Sequence, residues 1–265
     1  MSSARSIRAP ADNIMRQVKI LLATILSTIA MSSCTTRSAT TAYPADTIVT
    51  ASGEKLDITF YAHASLAMDF GGRRIYVDPV SSSADFASQP AADLILLTHA
   101  HFDHMDTVAI RALSRPDTHI ILTQECCQTL GCGEVLHNGQ STRYEGIGIE
   151  AVAAYNTTEG RTGFHPKGRD NGYVLSMGGR RIYISGDSEP TPEMLALKDI
   201  DIAFLAVNQP YTMTVEQAVE VVEALHPQIF YPYHYGQTDT KTDMVLLSML
   251  VDEIGDVDMR IRPME

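Results

Sequence analysis

A six-residue phrase occurs twice in this chain: Gly71-Gly72-Arg73-Arg74-Ile75-Tyr76 returns as Gly178-Gly179-Arg180-Arg181-Ile182-Tyr183. Each copy follows a β-rich segment, Ser65 to Phe70 in the first and Tyr173 to Met177 in the second. A Gly-Gly pair between two such segments predicts a tight hairpin, because the favoured hairpin turns need positive φ at their central positions. Both second strands run on to an aspartate, Asp78 after Val77 and Asp187 after Ile184-Ser185-Gly186. The echo therefore predicts a duplicated architecture with two similar halves.

Helix signals alternate with further strands. Asp106 caps a helix through Leu113. Thr214 with Gln217 forms a capping box ahead of Val215, Ala218, Val219, Val222 and Leu225, which share one face until Pro227. Asp243 to Asp252 reads as a last amphipathic helix. Leu94 to Leu97, Ile147 to Ala154 and Gln228 to Tyr231 read as buried strands. Hairpins followed by strand-helix units predict an α/β sandwich in one domain over 54–265. No Gly-x-Gly-x-x-Gly or P-loop pattern follows any strand, which excludes a dinucleotide fold.

The chemistry is concentrated after Leu94–Leu97, in Thr98-His99-Ala100-His101-Phe102-Asp103-His104. Three of the chain's 9 histidines fall within six positions there, so a chance solvated loop is a poor explanation. Neutral imidazoles with an added carboxylate suit zinc, iron or nickel in a hydrolytic centre better than a closed structural site. Three other strand ends carry compatible groups: Asp187, His234 in Pro232-Tyr233-His234-Tyr235-Gly236, and the stretch from Asn156 to His165. His119, His137 and His226 read as structural or surface residues.

At the N-terminus, Arg16 and Lys19 precede an apolar run from Ile20 to Met31, and Ser32-Ser33 lead into Cys34. That run is shorter than the roughly 20 residues needed to span a bilayer and matches the apolar region of a signal peptide. The expectation is a signal peptide over 1–33, lipidation of Cys34 resembling that of bacterial lipoproteins, and a flexible tether over 34–53. The protein is then exported from a bacterial cytoplasm and held on a membrane by its lipid. Met15 is an alternative start. The net charge of −12 opposes nucleic-acid binding, which depends on Lys and Arg. Cys126, Cys127 and Cys132 have room for one disulfide and lack zinc-ribbon spacing. The segment from Arg161 to Arg169, Gly-rich with two Arg and a Lys, reads as a mobile loop that meets an anionic substrate.

Taken together, Thr98-His99-Ala100-His101-Phe102-Asp103-His104, Ile184-Ser185-Gly186-Asp187-Ser188 and Tyr233-His234-Tyr235-Gly236 resemble the metallo-β-lactamase superfamily, over about 57–264. Ala62-His63-Ala64-Ser65 with Val77-Asp78-Pro79 resembles the branch of L-ascorbate-6-phosphate lactonases and N-acylphosphatidylethanolamine phospholipase D. The resemblance implies a metallo-β-lactamase-like αββα sandwich of two similar halves and two divalent metal ions, zinc first, with manganese or iron as alternatives. His99 and His101 would hold one metal, Asp103, His104 and His234 the other, and Asp187 would bridge them. It places His63 behind the metal loop with Asp78 as its companion.

One departure stands out. The superfamily's third histidine for the first metal is missing after Ile147–Ala154, where the chain reads Tyr155-Asn156-Thr157-Thr158. Either Asn156 replaces it, His165 swings in as ligand or substrate contact, or the first metal is loosely held.

The implied function is a hydrolase that turns a metal-bound hydroxide on an ester, lactone or phosphodiester of a small or lipid-like substrate. Asp103 would orient the nucleophile, and His165 is a candidate acid for the leaving group. The alternatives are an exported metal- or lipid-binding lipoprotein with a degenerate site, or a β-lactamase.

Overall fold

The computed structural model describes residues 43–236 and 240–265, so the expected leader and Cys34 lie outside the described residues. Two seven-stranded sheets carry the chain. The first contains β1 (Ala45–Val49), β2 (Lys55–Ala62), β3 (Ser65–Phe70), β4 (Arg73–Val77), β5 (Leu94–Leu96), β6 (His119–Leu122) and β7 (Glu134–Val135) in sequence order. The second contains β8 (Ser141–Tyr144), β9 (Ile147–Ala154), β10 (Asp170–Met177), β11 (Arg180–Ile184), β12 (Ile202–Ala206), β13 (Ile229–Tyr233) and β14 (Asp258–Met259). Each sheet starts as an antiparallel meander of four strands and continues with parallel strands after its repeated hairpin.

The duplication predicted from the echo is real in register. Phe70 faces Arg73 across the first turn and Met177 faces Arg180 across the second. Both glycine pairs have positive φ, at 58° and 75° in Gly71-Gly72 and 56° and 73° in Gly178-Gly179. The likeness runs further than the phrase itself. The Arg74 N–H donates to Asp93 and the Arg181 N–H to Asp201, both at 2.8 Å, and each aspartate leads into the next parallel strand.

The core has three layers of contact, as an αββα sandwich requires. Leu56, Ile58 and Phe60 of the first sheet meet Leu175, Phe204 and Tyr231 of the second in the central layer. Outside the first sheet, α1 (Thr107–Leu113) and α2 (Gln124–Leu130) pack Ile110, Leu113 and Cys126 on Ile95 and Leu122. Outside the second, α3 (Pro192–Leu195), α4 (Val215–Leu225) and α5 (Met244–Ile254) cover Val174, Tyr183 and Leu205. The predicted capping box opens α4, and Asp106 caps α1.

Two boundaries differ from expectation. The tether expected through residue 53 is corrected at its end: Ala45–Val49 is an edge strand paired with β2, and Asp46 accepts from Tyr231 Oη and Arg262. β13 runs two residues beyond the predicted Tyr231 and includes Pro232. A proline fits there because the ladder to β14 stops at Phe230, leaving no partner for a missing N–H on that side. Cys126, Cys127 and Cys132 are free thiols.

Candidate metal centre

The predicted ligands sit where strands of both sheets end at one edge, the place where open α/β sheets bind ligands. Asp78, immediately after β4, is fully buried and organises the histidine loop. Its Oδ1 accepts the Thr98 N–H at 2.8 Å, and its Oδ2 accepts Thr98 Oγ1 at 2.6 Å and lies 2.9 Å from His104 Nδ1. The N–H groups of His104 and Met105 both donate to the His101 carbonyl, which folds the loop back on itself. From the other sheet, Gly186 brings Asp187 up against this loop. A Cβ at Gly186 would stand 2.8 Å from the Asn171 carbonyl and 3.2 Å from Thr98 Cβ, and its φ is +60°. Only glycine allows that approach. His234 and His63 lie next to each other in left-handed backbone, φ 51° and 55°, joined by the His234 N–H to the His63 carbonyl at 3.0 Å.

Most of the rings have one nitrogen occupied by a fixed partner, which aims the other inward. His104 Nδ1 is on Asp78, His165 Nδ1 on Asp170 at 3.0 Å, His234 Nδ1 on Asn208 at 3.1 Å, and His99 Nδ1 on Thr98 Oγ1 at 3.0 Å. Such partners fix ring orientation and tautomer at metal sites. The inward nitrogens gather around Asp187: His104 Nε2 lies 3.2 Å from its Oδ1, and His234 Nε2 and His165 Nε2 lie 3.3 and 3.4 Å from its Oδ2. His99 Nε2 and His101 Nδ1 are 3.1 Å apart. Two ligands on one tetrahedral zinc stand about 3.4 Å apart, so the pair is close to a chelating geometry.

These contacts define two ligand groups, His99/His101/His165 and Asp103/His104/His234 with His63. In each, the donor atoms lie within 4.8 Å of one another, and His99, His104 and Asp187 form a third group that joins them. The donor set fits divalent cations. His104 Nε2, His234 Nε2 and Asp187 Oδ1 are buried without a hydrogen-bond partner. An orphaned buried polar atom costs about 1–3 kcal/mol, and a cation at this point would satisfy all three.

Protonation follows from the same contacts. Burial, reinforced by His104, pushes His99 well below the usual histidine range, and burial with His165 lowers His101. Burial would also lower His104 and raise Asp187. The Asp187 and Asp78 carboxylates instead lift His104 well above the ordinary value, and the imidazoles of His104 and His234 hold Asp187 well below it. His234 is raised by Asp187 and Asp103 against its burial. Asp103 is held far below the usual carboxylate range by the nearby His234 imidazole, 3.7 Å away, and by its hydrogen bond with His63, again against burial.

His104 and His234 thus hold a proton more tightly than a free imidazole does, and a metal must displace whatever protons they carry. Metal binding is expected to release protons, and apparent affinity to rise with pH by up to about tenfold per unit for each proton displaced. The sign for folding is the reverse. The stability that His104 and His234 lend to the metal-free fold is complete below about pH 6.5 and lost as pH climbs through their raised values. Calorimetry in buffers of different ionisation heat measures the protons, and identical isotherms at pH 6 and 8 would exclude this account.

The structure brings together His99, His101, Asp103, His104, Asp187, His234 and His165 of the predicted set. Asn156 is not among the cleft-lining residues; its Nδ2 donates to the Tyr211 carbonyl at 2.8 Å and its N–H to the His165 carbonyl at 2.9 Å, while its Oδ1 has no hydrogen-bond partner. His165 stands within the ligand cluster, with its Nδ1 3.0 Å from Asp170 and its Nε2 3.4 Å from Asp187 Oδ2. Asp78 is the companion of Thr98 and His104, whereas His63 Nε2 pairs with Asp103 Oδ2 at 3.1 Å. The loop over 161–169 is tied down: Arg161 bonds Glu189 and Gln209, Lys167 bonds Tyr155 and Glu193, and Arg169 grips Asp170 and lies 3.3 Å from His101 Nε2. Asp170, Asn208 and Glu189 were missed, because a single polar residue at a strand end has no spacing to mark it. The centre opens into a cavity of about 690 Å³ lined on one side by His101, Asp103 and His234 and on the other by Phe164, Arg169 and Tyr211.

An αββα sandwich with this His/Asp cluster at its shared strand edge has the architecture of a metallohydrolase. The chain belongs to the β-lactamase superfamily, whose domain model matches residues 57–234. It is similar to a UPF0173 metal-dependent hydrolase of Thermus thermophilus, 31% identical over 192 residues that span 68% of this chain and 84% of that relative. A Parabacteroides distasonis crystal structure described as a metal-dependent hydrolase is 48% identical, with a TM-score of 0.78 over 84% of this chain and all (100%) of that one. The fold also matches Igni18, a metallo hydrolase of Ignicoccus hospitalis, with a TM-score of 0.68 at 23% identity over 79% of this chain and 96% of that one. The protein is accordingly a metal-dependent hydrolase of the metallo-β-lactamase superfamily.

Proposed function

We propose that the centre is binuclear, with zinc as its metal, and that it hydrolyses an ester, lactone or phosphodiester bond in a small or amphiphilic substrate. The observation that carries this reading is Asp187, whose two oxygens face ligand nitrogens of both groups. When bound, divalent cations at such a site supply a Lewis acid and a water of lowered pKa.

The protein's own groups do the rest. His99, His101 and His165 would hold one cation, Asp103, His104 and His234 the other, with Asp187 between them. Asp103 faces the cleft with its side chain 30% exposed and stays ionised, so it can orient the attacking water through its carboxylate. His63, hydrogen-bonded to Asp103, fixes the direction of that carboxylate. Asp78, Asp170 and Asn208 keep the ligand rings from turning.

The test joins metal counting to a substrate panel. Protein loaded with zinc is expected to hold two metals per chain and to turn over at least one class among esters, lactones and phosphodiesters. His165→Ala should reduce the count to one, while Asn156→Ser should keep two. One metal in the native protein, or no turnover across the whole panel, would refute the reading.

A further inference from the structure

Among the described residues, three aromatic side chains are exposed: Phe102 at 87%, Phe164 at 37% and Tyr211 at 40%. All three line the cleft above the ligand cluster. They come from three separate segments, the histidine loop, the loop before His165 and the loop after β12, so chain proximity does not explain why all three line one cleft. Phe102 stands between the ligands His101 and Asp103, and none of the three belongs to the buried clusters.

Two of the three are also held in place. Phe164 and Tyr211 pack edge to face with centroids 4.8 Å apart at 74°. Asn156 ties their loops together by donating its side chain to the Tyr211 carbonyl and its N–H to the His165 carbonyl. The result is a polar, charged floor under a preformed aromatic mouth. Rigid aromatic surface of this kind recognises apolar groups at little cost in ordering.

We infer that Phe102, Phe164 and Tyr211 form a subsite for an apolar arm, alkyl or aryl, of about six carbons or more, carried by the molecule whose polar group sits over Asp187. The substrate is thus an amphiphile bound as a single molecule. This rests on the hydrolase reading for what happens to the substrate, though the binding itself does not.

The experiment uses zinc-loaded protein and alkylphosphonates that it cannot hydrolyse, with ethyl, hexyl and decyl chains, titrated by calorimetry below their critical micelle concentrations. Decylphosphonate is expected to bind at least about tenfold tighter than ethylphosphonate. A fully buried methylene is worth a factor of about four, so an open rim need cover only part of the chain. Phe102→Ala and the pair Phe164→Ala/Tyr211→Ala should flatten this dependence on chain length, and Phe102→Leu should retain most of it.

Equal affinity for all three chains overturns the subsite, as does a dependence that survives both alanine variants. Binding of decylphosphonate only above its critical micelle concentration overturns the single-molecule arm. If the chain-length dependence appears while no ester, lactone or phosphodiester is turned over, the subsite stands and the proposed bond class falls.

Discussion

If the proposed two-metal centre is right, replacing Asp187 by alanine is expected to strip the protein of both metals and of hydrolysis together. Among the described residues, no other carboxylate touches ligand nitrogens of both groups: its oxygens lie 3.2 Å from His104 Nε2, 3.3 Å from His234 Nε2 and 3.4 Å from His165 Nε2. Removing one partner from a buried charged cluster costs about 3–5 kcal/mol. At about 1.4 kcal/mol per decade, metal affinity should fall on the order of 10² to 10⁴-fold. Hydrolysis should fall with occupancy. Asp187→Asn keeps the volume but not the charge, and should lose metal nearly as completely while preserving the packing around Gly186. His119→Ala is the control, because His119 pairs with Glu134 at 2.7 Å on the first sheet, apart from the cleft lining. Metal counts by mass spectrometry and affinities by chelator competition decide the matter. Retention of both metals at native affinity in Asp187→Ala would remove the bridging role.

The repeated phrase made most of this architecture readable before any coordinates. A Gly-Gly turn between two β-rich segments implies a hairpin, and two copies imply two similar halves. The phrase did not reveal that its two terminal aspartates do different work. Asp78 and Asp187 end corresponding strands and grip the same ring, His104, from opposite sides, Nδ1 at 2.9 Å and Nε2 at 3.2 Å. One has become a buried support and the other faces the ligands. Chain order left two candidates for the missing ligand, Asn156 directly after β9 and His165 nine positions later. His165 reaches the cluster after a loop folded by the buried Glu189, which takes the N–H groups of Thr157 and Thr158 and pairs with Arg161. That fold depends on long-range partners and leaves no local pattern. β1 escaped notice for a similar reason: its residues alternate between exposed and half-buried, so no apolar period separates the strand from a tether.

The support role of Asp78 predicts a different failure from that of Asp187. Asp78→Ala leaves the Thr98 N–H, Thr98 Oγ1 and His104 Nδ1 without their acceptor in a fully buried setting. It also places alanine at a backbone φ of 44°, where a short polar side chain is better tolerated. The expected loss is about 3–5 kcal/mol of folding stability. For a domain of this size that lowers the melting temperature by about 10 °C, with or without metal. Metal affinity should drop by about 10 to 100-fold, the range for removing a partner that orients a ligand, and so less than for Asp187. Thr98→Val removes one hydroxyl and keeps the carboxylate, and should reproduce a fraction of the loss. The two aspartates thus separate by readout. Asp187→Ala is expected to fail chiefly in metal binding, and Asp78→Ala in melting even when metal-free. An Asp78→Ala protein that melts within about 2 °C of the native one and holds metal as tightly would show that His104 needs no clamp, and that the second half of the duplication alone positions the site.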